Sequence, residues 1–240
     1  MEWLPANWSP KIVAVDIDGT LTDTKKQLNT RALDALKRLE EHGIPVILAT
    51  GNVRAITYGL WRFLKLTGPI CCENGGVLWH PSFDKPMLQA KGEEARQAAE
   101  WLSTVMELDP KGIESNQWRE SEWCLNPDEN LELIQHHLAQ SDWSHLIALR
   151  TGFAIHLMEP HLSKGNGLEI LFKHMGWSLE DMLCVGDAPN DLSMFEKAGW
   201  SIAVKGAFDS VMQAADVCSP HLHGDTFEPL VEAILQARNG

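Results

Sequence analysis

Strand-length apolar runs recur along this chain with helical stretches between them, and that alternation leaves few folds open. KIVAV (11–15), IPVILAT (44–50), PICCE (69–73), MLCVGD (182–187) and SIAVK (201–205) are apolar almost throughout. Runs with no polar alternation suit strands buried on both faces. Between them NTRALDALKRLEEHG (29–43) places Ala32, Ala35, Leu36 and Leu39 on one helical stripe. Asn29 or Thr30 can cap its start and Gly43 its end. VRAITYGLWRFLKLTG (53–68) predicts a second helix, closed by Gly68, and the Asn74-Gly75 pair predicts a hairpin turn into VLWH. Strand–helix–strand repetition of this kind predicts an α/β fold with a Rossmann-like, doubly wound parallel sheet.

The rhythm changes after residue 81. EEARQAAEWLSTVM (93–106) and DENLELIQHHLAQ (128–140) have helical periodicity, whereas QWRESEWCL (117–125) alternates like a strand. HLIALR (145–150) and FAIHLM (153–158) pair naturally around Thr151-Gly152 and read as half-exposed. From SKGNGLEILFKHMG (163–176) the first rhythm returns, and PNDLSMFEKAG (189–199) predicts a helix with Pro189 in its first turn. The expected organisation is a core of residues 1–81 and 159–240, interrupted by an α+β cap over 82–158.

A net charge of −13 over 240 residues argues against a nucleic-acid partner, since a phosphate backbone calls for a basic surface. No apolar run is long enough for a membrane span, and MEWLPANWSPK has no signal-peptide character. Cys71, Cys72, Cys124, Cys184 and Cys218 are odd in number, lie mostly in apolar runs and lack metal-ligand spacing. They predict reduced thiols and a cytoplasmic location. No feature of the chain specifies an oligomeric state.

In open α/β sheets ligands sit beyond the carboxyl ends of the strands. There stand Asp16 and Asp18 after the first strand, Thr50 after the second, and Asp187 and Asp191 after MLCVG. Residues i and i+2 of an extended segment share a face, so Asp16 and Asp18 are expected to point into one volume. A strand end dissolving into a solvated acidic turn is the plain alternative. Four carboxylates in one crevice call for a cation, and an all-oxygen donor set suits Mg²⁺. Lys164 can offset their charge, although alone it is an ordinary surface lysine. A hydroxyl, a lysine and a metal among carboxylates suit a phosphoryl group.

DIDGT (16–20), Thr50 in ATGN, Lys164 in SKGNG and GDAPND (186–191) together resemble the four motifs of the haloacid dehalogenase superfamily, phosphohydrolases with an aspartate nucleophile. Within it, ATGNV (49–53), CENGGVLW (72–79), NQWRES (116–121) and HLMEP (156–160) are similar to archaeal-type phosphoglycolate phosphatases, near relatives of sucrose-phosphate phosphatases. Ala188 and Lys205-Gly206 depart from the residues common in that branch. The resemblance implies Asp16 as nucleophile, Asp18 as general acid and base, and Mg²⁺ held by Asp16, the Asp18 carbonyl, Asp187 and Asp191. It implies Thr50, Gly51, Lys164 and Asn190 as substrate-binding residues. Arg119, by default an exposed strand arginine, becomes the candidate for a substrate carboxylate. A helix-capping role is the lesser alternative for Asp191, Asn74 is more simply a turn residue, and His156 and His161 have no ligand partner at suitable spacing. The expected substrate is a small phosphorylated metabolite, 2-phosphoglycolate first and a sugar phosphate second, with a phosphomannomutase-like mutase or a non-catalytic binding module as remoter readings.

Overall fold

The computed structural model describes residues 2–239. The large sheet begins with β1 (Ile12–Val15), all of it buried, and continues through α1 (Thr30–Glu41), β2 (Val46–Ala49), α2 (Arg54–Leu64) and β3 (Ile70–Cys72). The Asn29 carboxamide accepts from the Arg31 and Ala32 N–H groups and so fixes where α1 starts. α2 ends before Gly68, because Lys65 adopts a left-handed conformation (φ 57°) and turns the chain out of the helix. Gly68 serves instead for close approach: a Cβ there would lie 2.3 Å from the Val46 carbonyl oxygen. β4 (Val77–Trp79) extends the sheet antiparallel to β3, and β5 (Met87–Leu88) follows antiparallel to β4. The chain therefore still belongs to the large sheet several residues past position 82.

A second layer of structure follows: α3 (Glu93–Val105), β6 (Trp123–Leu125), α4 (Leu131–Ala139), β7 (Ile147–Arg150) and β8 (Ile155–Met158). Its antiparallel sheet has the order β6-β8-β7, with Ala95, Ala99, Leu102, Ile134, Leu138 and Leu157 in a core separate from that of the large sheet. The strand expected over 117–125 forms only at its end. Glu114–Trp118 is a single 3₁₀ turn, held because the Asn116 carboxamide donates to the Lys111 and Cys124 carbonyls and accepts from the Cys124 N–H. Arg119 thus lies off the strand. β8, expected to be half-exposed, is the central strand and buried throughout.

The chain returns to the large sheet through α5 (Lys164–Met175), β9 (Met182–Gly186), α6 (Leu192–Phe195), β10 (Trp200–Lys205), α7 (Asp209–Ala214), β11 (Val217–Leu222) and α8 (Phe227–Asn239). The helix expected over 189–199 is a 3₁₀ turn, Pro189–Asp191, running into the short α6. The order is β11-β10-β9-β1-β2-β3-β4-β5, parallel from β11 to β3. β1 has β2 on one side and β9 on the other, so the sheet changes direction of travel there and opens a crevice at the carboxyl ends of these strands. This is an α/β, doubly wound fold with an inserted α+β unit. No described helix is long and apolar enough to cross a membrane.

Candidate active site

Asp16 follows directly on β1, and its buried carboxylate accepts from Lys164 Nζ at 2.5 Å. Lys164 is the first residue of α5, placed there by the Ser163 cap, and its Nζ also donates to Asp191 at 2.6 Å. Asp187 joins the group from the end of β9, steadied by a 2.9 Å hydrogen bond from Thr20. Carboxylate oxygens of Asp16, Asp187 and Asp191 all lie within 4.8 Å of one another. Gly19 leaves room for this approach: its φ is 86°, and a Cβ would sit 2.3 Å from an Asp187 oxygen.

Burial raises the Asp16 carboxyl well above the usual carboxylate range, with Lys164 opposing and its acidic neighbours adding to the effect. Burial and then Asp191 push Asp187 up to about 7. For Lys164 burial alone would favour loss of the proton, but the two carboxylates outweigh it and raise the amine. A single lysine among three acids leaves the crevice short of positive charge. The donor set is all oxygen, so the group can hold a divalent cation.

Asp18 behaves differently from Asp16. After Val15 the chain leaves the extended form and turns over the Ile17 carbonyl, which accepts from the Leu21 and Thr22 N–H groups. Asp18 therefore stands in a turn and not on an extended segment, yet near enough to Asp16 to raise its carboxyl. The Asp18 carboxylate stays outside the three-acid cluster and is held by the Asn52 amide. This separation suits proton transfer better than metal ligation. Asp191 also does the capping work, for its second oxygen accepts from the Asp187 and Ala188 N–H groups at 2.9 and 3.0 Å.

Thr50 is buried at the end of β2, and its hydroxyl accepts from the Asn52 N–H at 3.0 Å, which leaves its own proton to give. Gly51 passes beneath the inserted unit: a Cβ there would stand 3.1 Å from the His156 ring and 3.3 Å from that of Phe153. Its carbonyl accepts from Arg119 Nη1 at 3.0 Å. The Arg119 side chain is completely buried, not exposed, and Nη1 also pairs with the equally buried Glu122. Among the described residues its Nε and Nη2 have no partner. Asn190 donates to Asn74 Oδ1 at 3.0 Å, while its own Oδ1 is buried without a donor.

Sequence reasoning passed over the residues that join the two units. Asn74 is left-handed (φ 53°) as a turn residue should be, yet its amide is buried and donates to Glu122 Oε2 at 3.2 Å. His156 Nδ1 donates to Glu122 Oε1 at 2.9 Å, which fixes the tautomer, and Nε2 faces the Thr151 hydroxyl at 3.1 Å. Glu122, Cys124 and His156 cluster as metal ligands could, but Arg119 already supplies the positive charge on Glu122. Glu73, next to Asn74, accepts from the Glu120 and Ser121 N–H groups and from the Ser121 hydroxyl. Arg119–Glu122 and Thr151–His156 apart, these partners lie 34 or more residues from one another, so periodicity and spacing held no signal for them.

Comparison with known proteins agrees with this geometry. A family model described as haloacid dehalogenase-like hydrolase matches residues 13–144 and 124–226. A phosphoglycolate phosphatase of Methanothermobacter thermautotrophicus is 35% identical over 90% of this chain and 94% of its own. One from Archaeoglobus fulgidus is 34% identical over 95% and 96%. A crystal structure from Thermoplasma acidophilum shares the fold with a TM-score of 0.85, covering 95% of this chain and 99% of that one, at 23% identity. A subclass IIB sugar phosphatase superposes with a TM-score of 0.68 over 86% and 92%, at 17% identity. The chain belongs to the haloacid dehalogenase-like hydrolase family. It is a phosphoric monoester hydrolase.

Proposed function

We propose that the protein is a Mg²⁺-dependent phosphatase that hydrolyses 2-phosphoglycolate to glycolate and phosphate through an aspartyl phosphate. The observation that carries the choice of substrate is Arg119. Its Nε–Nη2 edge is buried and unpartnered, and that edge of a guanidinium takes a carboxylate with two parallel hydrogen bonds. Relatives named phosphoglycolate phosphatase over nearly the whole chain support the same reading.

Asp16 attacks phosphorus in line; its new P–O bond forms as the ester P–O bond breaks. Asp18, oriented by Asn52, gives its proton to the departing glycolate oxygen. As a carboxylate it then takes a proton from the water that attacks the aspartyl phosphate, which releases phosphate and restores Asp16. The Thr50 hydroxyl and Lys164 donate to the phosphoryl oxygens, and in-line geometry directs the leaving group toward the inserted unit and Arg119. The carboxylates of Asp16, Asp187 and Asp191 fit a divalent cation; with the Asp18 carbonyl they would hold Mg²⁺, which would neutralise charge on the transferred group.

A second reading, a sugar phosphate, is favoured by one atom: Asn190 Oδ1, an unpartnered buried acceptor that suits a hydroxyl on the leaving group. Phosphate release from 2-phosphoglycolate, 3-phosphoglycerate and hexose phosphates with Mg²⁺ tests the choice. The highest kcat/KM is expected for 2-phosphoglycolate. A hexose phosphate turned over faster would transfer the reading to sugars, and phosphate returned to the sugar instead of released would make the protein a mutase.

A further inference from the structure

Arg119 sits on an irregular segment, so no regular backbone ladder holds it in place. The orientation of its guanidinium comes from side chains. Nη1 is taken by the Gly51 carbonyl and by Glu122, and this leaves the Nε–Nη2 edge as the free one. A carboxylate beside an anion-reading arginine is at first sight a poor choice, because it partly cancels the charge. Glu122 is nonetheless fully buried and held from two directions, by His156 Nδ1 from β8 and by Asn74 Nδ2 from the turn between β3 and β4. His156 is held in turn by Thr151 and stacked edge-on against Phe153, with ring centroids 5.2 Å apart. Burial would push the Glu122 carboxyl up, but His156 and Arg119 together bring it below its ordinary value, so it stays a charged anchor.

We propose that Glu122 and His156 are positioning residues for anion recognition: Glu122 holds Arg119 by Nη1, and His156 holds Glu122, so that the Nε–Nη2 edge is presented to the substrate's carboxylate. The proposal rests on the reading of Arg119 given above. It adds that specificity is set by a chain of buried side chains running from the inserted unit to the turn that also binds Asn190.

The test uses the full-length protein with phenyl phosphate as reporter substrate, and phosphonoacetate and methylphosphonate as inhibitors with and without a carboxylate. Native protein is expected to bind phosphonoacetate at least about tenfold more tightly than methylphosphonate, the scale of one desolvated ion pair. Glu122→Gln keeps an acceptor oxygen but loses the charge, and His156→Gln removes the ring that steadies it. Each should cut the inhibitor ratio about tenfold while methylphosphonate binding stays within about twofold of native. In an Arg119→Ala background the ratio is already lost, and adding Glu122→Gln should change it no further, as for residues that act through one another. An unchanged ratio in both variants, equal weakening of both inhibitors, or a further loss on top of Arg119→Ala overturns the proposal, as does a native ratio of one. Failure of the substrate reading looks different: no turnover of 2-phosphoglycolate with the inhibitor ratio and its dependence on Glu122 intact.

Discussion

Asp16 and Asp18 are two residues apart, yet they meet different surroundings, and their roles divide accordingly. Asp16 is buried against a lysine and two further acids, where a charged carboxylate is costly until a cation shares the crevice. Asp16→Asn removes the attacking charge and relieves that cost. Turnover of any phosphoester is expected to fall at least about a thousandfold, as when a nucleophile is deleted. The melting temperature measured in chelator should not fall. Near-native turnover would remove the aspartyl phosphate from the mechanism. Arg119 is the other residue whose surroundings decide its part, since a buried guanidinium with a free edge loses most when its anion is lost. Arg119→Ala should lose about 2–5 kcal/mol in kcat/KM for 2-phosphoglycolate, the range for truncating one side of a buried ion pair. Phenyl phosphate should lose far less; equal losses would mean that Arg119 supports the fold and reads no substrate.

At the scale of elements, the turn between β3 and β4 fastens the inserted unit to the large sheet. Glu73 and Asn74 are consecutive left-handed residues (φ 49° and 53°), an arrangement that persists because both side chains are tied across the seam. Burial, and then Glu122, push the Glu73 carboxyl up to about 7. Because its folded value lies above the unfolded one of 4.5, the native state holds more protons between these limits. Stability from this group is therefore present at low pH and lost as pH rises toward about 7. Glu73→Gln should lack that slope, so urea midpoints at pH 5.5 and 8 ought to converge in the variant relative to the native protein. Parallel midpoints would contradict the assignment. The elements themselves were mostly legible: Asn29 at the start of α1 and the uninterrupted apolar runs act locally, on their own stretch of backbone. Asp16 and Asp187 were legible for the same reason, each directly following a strand. What could not be read depends on a backbone reversal or on side-chain partners that no periodic pattern marks. The Lys65 reversal pre-empts Gly68, Asn116 folds 114–118 away from a strand, and Glu122 finds its histidine 34 residues on.

The whole molecule is acidic, and its crevice gathers three carboxylates around one lysine, so metal, protons and stability are linked. Without metal, burial and Asp191 keep the Asp187 carboxyl at about 7, against an ordinary 3.8. The native state then binds more protons than the unfolded chain between those values. Its stability from this group declines as pH climbs through that window. A divalent cation needs the ionised form, so its binding expels the proton and grows tighter with rising pH until Asp187 is fully ionised. At a Mg²⁺ concentration about a hundredfold above Kd the gain is about 2.7 kcal/mol, as mass action requires. For a chain of this length that corresponds to a rise of about 5–10 °C in Tm. The expected result is a Mg²⁺-induced shift in Tm, measured against chelator, that is clearly larger at pH 7.5 than at pH 5.5. Asp187→Asn should abolish both the shift and its dependence on pH. A shift of equal size at the two pH values would mean that the cation binds without displacing a proton, and that Asp187 is not among its ligands.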